Sequence, residues 1–277
     1  MANEPFFKRD GALFVPTPSS RGPWNATSLH GRVIIALLAH EMEQKHGSAD
    51  FMPVRLTVDM YQLPDMSPVE VTTRVIRAGN RIRVIDAEFI SGGKSVARAT
   101  CQMLKRGENP EGNRWTRPNW DAPHPDKIEL PAGRSGPFGG MWAMKPVTGN
   151  VGTLGQKKQT WMSEVRSTVD DEPLTPFLRV ASACDFASPF ANAGDQGLGF
   201  INSDVTLYLH RLPVGEWIGF EAANHDATEG VAIGECYLYD VEGHIGSASC
   251  AAVAQRRMTG PDRPMTAQSE TKASANK

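Results

Sequence analysis

Val54-Arg55-Leu56-Thr57-Val58-Asp59-Met60-Tyr61-Gln62-Leu63-Pro64 and, 149 positions later, Ser203-Asp204-Val205-Thr206-Leu207-Tyr208-Leu209-His210-Arg211-Leu212-Pro213 carry one pattern twice. Without a gap the register runs on until Ala99-Thr100-Cys101 meets Ala248-Ser249-Cys250. Identities are few: Thr57, Leu63, Pro64, Ala78, Ala99 and Cys101 match their partners. What recurs is the alternation and its punctuation, and a repeated period-two pattern has to bury the same face twice. The chain therefore reads as two copies of one small α+β unit.

Each copy has a helix ahead of its strands. Arg32–Lys45 contains Val33-Ile34-Ile35-Ala36-Leu37-Leu38, apolar nearly all round, and such a helix must be enclosed rather than laid on a surface. Strands are expected at 52–62, 69–78, 82–91 and 95–105, with hairpin turns at Gly79-Asn80 and Gly92-Gly93. In the second copy a strand is expected at 159–169. Asp170-Asp171-Glu172-Pro173-Leu174-Thr175-Pro176 then puts acidic residues and a helix-starting proline before a helix over 177–187, followed by strands at 204–211, 217–226, 231–240 and 245–255. The units are thus 7–106 and 151–257. Between them, Gly107–Asn150 is rich in Pro, Gly, Asn and Trp, lacks periodicity and reads as a linker; 258–277 reads as a disordered tail.

Composition narrows the function. Of 277 residues 40% are hydrophobic and 22% charged, with a net charge of −2, so a nucleic-acid partner is not expected. The apolar run Val33–Ala39 is far short of a membrane span, and the start Met1-Ala2-Asn3-Glu4-Pro5 is unlike a signal peptide. Cys101, Cys184, Cys236 and Cys250 lack metal spacing and read as reduced buried thiols, which points to the cytoplasm. Neither a phosphate loop nor a Gly-x-Ser-x-Gly elbow is present, position 44 after His40 is Gln rather than a second ligand, and Cys184-Asp185 reads as helix core. No metal or cofactor is called for.

Phe14-x-Pro16 with Gly22-Pro23-Trp24, Leu29-His30-Gly31 opening the helix, Asp204 with His210-Arg211, and Tyr239-Asp240-x-x-Gly243-His244-Ile245-Gly246-Ser247-Ala248-Ser249 resemble, in order, the type II (TesB-like) acyl-CoA thioesterases. The resemblance spans most of 7–257. It implies a tandem (double) hot-dog fold, two central helices each wrapped by an antiparallel sheet, and hydrolysis of an acyl-CoA by activated water in fatty acid metabolism. A homo-oligomer of double hot-dog chains is compatible with it.

By strand parity Asp204 lies on the polar side of 204–209. In the resembled family an aspartate here orients the attacking water, and its counterpart in the first copy is Arg55. If Leu212–Glu216 closes a hairpin, Asn224 faces Asp204, with His225 or Thr228 as other partners; the family has Thr or Ser nearby. The family's Gln on the last strand falls on Ala252, which motivates a rival reading, a non-catalytic acyl-CoA-binding or regulatory protein. A hot-dog enoyl hydratase ranks third. His30-Gly31 at the helix start offers free N–H groups and a positive dipole end to a thioester oxygen, and Trp24 is expected to wall the acyl pocket.

Overall fold

A computed structural model describes residues 4–23, 27–130, 142–170 and 172–255. The first copy comprises β1 (Phe7–Asp10), β2 (Leu13–Pro16), α1 (Gly31–His46), β3 (Phe51–Met60), β4 (Val69–Ala78), β5 (Ile82–Ser91) and β6 (Lys94–Lys105). The second comprises β7 (Ala143–Thr148), β8 (Gln159–Ser163), α2 (Pro176–Ala183), α3 (Ala187–Asn192), β9 (Phe200–Asn202), β10 (Asp204–Leu209), β11 (Ile218–Thr228), β12 (Val231–Asp240) and β13 (Gly243–Ala254).

The strands form one continuous sheet in the order β1-β2-β4-β5-β6-β3-β10-β13-β12-β11-β8-β7, with β9 beside β13. That order reads the same from either end once each strand is exchanged for its counterpart, so the repeat in sequence is a two-fold in space. The dyad passes between β3 and β10, where Thr57 faces Thr206 and the Thr206 hydroxyl meets that of Thr57 at 3.2 Å across a separation of 149 residues.

α1 is wrapped as its sequence requires. Val33, Ile35, Ala36, Leu37, Leu38 and Ala39 have no exposed surface, and Leu56, Val58, Ile85 and Phe89 close over them from the sheet. The buried Arg32 pairs with the buried Glu164 of the second copy at 3.0 Å and stacks on Phe6 and Trp142, so the two copies share one core. No helix among the described residues is long and apolar enough to cross a membrane.

Three expectations need correction. The second helix is not continuous: α2 ends at Ala183, a 3-10 turn covers Cys184–Phe186, and α3 follows. Pro189 cannot donate to the Asp185 carbonyl one turn back, which frees the stretch around Asp185 from the α-helical ladder. The strand expected over 159–169 stops at Ser163, where the Glu164 carboxylate takes the N–H groups of Val165 and Arg166. The stretch expected as linker also carries β7, paired to β8, and a strap packed on the second copy. Trp120 lies between Trp161 and Tyr239, its ring seated on Gly219, where a Cβ would come within 1.7 Å of it. The tail from 258 lies outside the described residues.

Candidate active site

Where the first turn of α1 meets the broken end of α2, a cavity of about 240 Å³ opens between the copies. Ile34, Met60, Leu63, Trp142, Leu198 and Ile201 give it apolar walls, and His30, Gly31, Asp185 and Asn202 supply its polar end. The signal for this site was present in the sequence as a carboxylate inside an apolar helix, because an Asp that is nearly fully buried is rarely without a partner. Asp185, read from the sequence as core, is 6% exposed.

Asp185 is held from three sides. Asn202 donates its Nδ2–H to Oδ1 at 3.1 Å, and His30 Nδ1 lies 3.2 Å from Oδ2. On the third side is Gly31: a Cβ there would stand 3.0 Å from Oδ1, tighter than an ordinary contact, so any other residue would press the carboxylate back from the start of α1. Burial alone would push the carboxyl up. Hydrogen bonding and charge from His30, the Asn202 amide and the Arg32 cation outweigh it and hold Asp185 below the ordinary carboxylate range. His30 is also the N-cap of α1, its Nδ1 3.1 Å from the Arg32 N–H. The two contacts are alternatives: a bare Nδ1 caps the helix, and a protonated one donates to Asp185.

His30 and Gly31 lie at the start of α1 and line the cavity. Trp24 lies outside the described residues, although its neighbour Pro23 lines the cavity. Arg55 does not reach the site: it sits opposite Tyr208 on the outer face of the sheet, while Leu56 and Val58 of the same strand point inward. Asp204 shares that outer face, opposite Asp59, and its Oδ1 accepts the Ala251 N–H at 2.6 Å. This bond takes the place of a ladder bond at the break between β9 and β10. Burial first, and then the nearby Asp59, raise the Asp204 carboxyl against the pull of that N–H.

The partners expected for Asp204 are elsewhere. β10 is not hairpin-paired with β11; β13 and β12 lie between them, which puts β11 roughly 14 Å away. Asn224 pairs with Glu235, His225 is exposed with its Nδ1 2.8 Å from the Asn192 amide oxygen, and Thr228 ends β11 at the hairpin turn. A one-hairpin connection was assumed where the chain makes a crossover, and local sequence does not distinguish the two.

Asn202 was not anticipated. It is the cross-strand partner of Ala252, so an amide absent from the last strand is supplied by the strand beside it. Among the described residues no group of three or more His, Cys, Asp or Glu side chains could hold a metal ion.

Profiles of two protein families match the chain in tandem: the acyl-CoA thioesterase N-terminal domain over residues 20–104 and the acyl-CoA thioesterase C-terminal domain over residues 116–251. An uncharacterized protein of Mycobacterium tuberculosis is 23% identical over 220 residues, covering 69% of this chain and 73% of its own. Among solved structures, a hot-dog protein of unknown function from Alicyclobacillus acidocaldarius superposes with a TM-score of 0.71 at 15% identity, covering 91% of this chain and 96% of that one. The TesB protein of Mycobacterium avium subs paratuberculosis superposes with a TM-score of 0.68 at 14% identity, covering 90% and 96%. At such identities the structural likeness speaks for the fold.

Proposed function

This chain belongs to the acyl-CoA thioesterase family, a group of thioester hydrolases, and from that premise we propose that it cleaves acyl-CoA at the cavity between α1 and α2, with Asp185 as the group that orients and deprotonates water. The observation that carries this reading is one buried carboxylate facing an apolar cavity against a helix start.

The acyl chain lies along Ile34, Met60, Leu198 and Ile201. Its thioester oxygen turns to the Gly31 N–H, which opens the helix and has no intrahelical partner, and the dipole of α1 adds positive potential there. Water bound to Asp185 attacks the carbonyl carbon and gives its proton to the carboxylate as the oxyanion forms. Collapse of the tetrahedral species breaks the carbon–sulfur bond; the acid stays with the water's oxygen, and CoA leaves as the thiol once Asp185 returns the proton. Asn202 fixes the carboxylate so that its second oxygen faces the water. No covalent acyl intermediate enters this sequence.

Binding without cleavage is the other reading, and it rested on Ala252. The Asn202 amide across from Ala252 favours hydrolysis, because the carboxylate keeps an amide donor. Free-thiol release from a panel of acyl-CoA esters tests the choice. Thiol released in proportion to enzyme supports hydrolysis; tight binding of the same esters with no thiol released supports the binding reading. The cytoplasm as compartment and fatty acid metabolism as context belong to the same proposal.

A further inference from the structure

The two helices related by the dyad start differently. A helix start is ordinarily capped by Ser, Thr, Asp or Asn, whose side-chain oxygen takes one of the free N–H groups. α2 follows that pattern: the Thr175 hydroxyl accepts the Leu178 N–H at 3.1 Å and donates to Glu43 at 2.6 Å. α1 has His30 there instead, and it does so at the helix start that opens on the cavity. An imidazole cap carries a second nitrogen across the ring, which the usual caps lack.

The two nitrogens of His30 have different surroundings. Nδ1 stands between the Arg32 N–H at 3.1 Å and Asp185 Oδ2 at 3.2 Å. Nε2 has no hydrogen-bond partner among the described residues, and it is not sealed off from the cavity that His30 lines. Trp142 packs edge-to-face on the ring, centroids 5.8 Å apart, and supports its tilt. The charged groups beside the ring are Asp185 and Arg32; Ile34, Met60, Leu63 and Leu198 give this end apolar walls, which offer a departing sulfur no proton. When Nδ1 is bare and caps α1, a neutral ring carries its hydrogen on Nε2. Capping by His30 therefore presents an N–H donor to the cavity, one residue from the Gly31 N–H.

We propose that His30 is a second catalytic residue, a relay that carries the proton of the attacking water from Asp185 to the sulfur of the leaving CoA. It rests on Asp185 acting as the base. As the tetrahedral species collapses, the carbon–sulfur bond breaks and its electron pair stays on sulfur. Nε2 gives its hydrogen to that sulfur while Nδ1 takes from Asp185 the proton that the water gave up. The carboxylate is restored, the acid keeps the water's oxygen, and CoA departs as the thiol. The ring is left with its hydrogen on Nδ1, bonded to Asp185, and exchange with solvent at the cavity mouth restores the Nε2–H form and the cap. The two contacts of Nδ1 are thus two stages of one cycle. Asp185 is held below the ordinary carboxylate range and so releases its proton readily. The leaving group sets the need: an alkyl thiol titrates near ~8.5, so at neutral pH sulfur leaves more easily when a proton reaches it as the bond breaks.

Leaving-group dependence tests this in the full chain. One acyl group is offered on a set of thiols, from CoA to aryl thiols that are far more acidic, and kcat/KM is plotted against thiol pKa. Wild type should give a shallow slope, because the proton is supplied, and that slope is read without any variant. His30→Asn keeps a cap for the Arg32 N–H but passes no proton. It should lose ~10²–10⁴-fold on the CoA ester and progressively less as the thiol becomes more acidic, so the slope steepens. Asp185→Asn should lose activity alike on every member, since attack needs the base whatever leaves. A steep slope in wild type, a slope that His30→Asn leaves shallow, or a His30→Asn loss equal across the set would overturn the relay. An Asp185→Asn protein that keeps its rate would overturn it differently, by removing the base from which the relay starts.

Discussion

At Asp185 the penalty of burial is opposed by His30, the Asn202 amide and Arg32, and the balance leaves the group ionised. A reaction that uses it as a base should therefore keep its rate on acidification to below ~3.9, the ordinary Asp value, and lose it only as pH falls through the lower value of the folded protein. The stability that this carboxylate contributes follows the same sign: present above the unfolded value, lost below it. Asn202→Ala removes one donor, so the acid limb of the kcat profile should move to higher pH while KM changes little; a limb that stays in place would separate Asn202 from the site. Asp204 is the contrasting case. Burial and Asp59 raise it, so its charge costs stability at neutral pH, whereas its Oδ1 is needed by the Ala251 N–H. Asp204→Asn keeps that acceptor and removes the repulsion, and thermal melts should show Tm unchanged or higher.

At the scale of elements, α1 is the most stringent part of the fold. Leu37 has no exposed surface, and Leu37→Asp should cost several kcal/mol in a denaturant titration, an unpaired charge being set among apolar side chains. The enclosure of this helix was legible from Val33–Leu38, and the strands were legible from alternation, because both depend on residues close in sequence. The broken helix was not. Pro189 sits in an apolar run whose period still reads as helical, and its effect falls one turn earlier, on Asp185. Nor was the neighbourhood of Asp204 legible: parity placed it correctly on the polar face, but which strand runs beside β10 depends on a crossover. Asn202 and Asp185 meet through that same non-local pairing, so neither stood out alone.

Across the whole molecule the copies are joined by ionic seams whose pH dependence can be read. The buried His40 lies between Glu41 at 3.2 Å and Glu172 at 2.6 Å, with Arg9 and Lys45 on the same carboxylates and Gln44 on Glu172. Burial opposes its charge, but the two carboxylates win and raise its pKa, while Glu41 is lowered to about 2. The contribution of His40 is complete below ~6.5 and lost as pH rises through its raised value; that of Glu41 is complete above ~4.3 and lost as pH falls toward about 2. Denaturant midpoints should decline on the alkaline side, and His40→Gln should flatten that decline. Burial holds the Glu164 carboxyl above the ordinary range against the pull of Arg32, and Glu164→Ala should cost ~3–5 kcal/mol by taking the ion-pair partner from a buried cation. The repeat did not make this seam legible: only Thr57 meets its own counterpart, Thr206, on the dyad, and the ionic contacts join residues of the two copies that no shared pattern pairs. On the proposed mechanism hydrolysis is run by Asp185 and not by the carboxylate across the sheet, and kcat/KM for one good acyl-CoA substrate in Asp185→Asn and Asp204→Asn tests it directly. Asp185→Asn should fold and lose ~10²–10⁴-fold, the size of a general-base contribution, with Asp204→Asn close to wild type; the reverse order, or two equal losses, would overturn it.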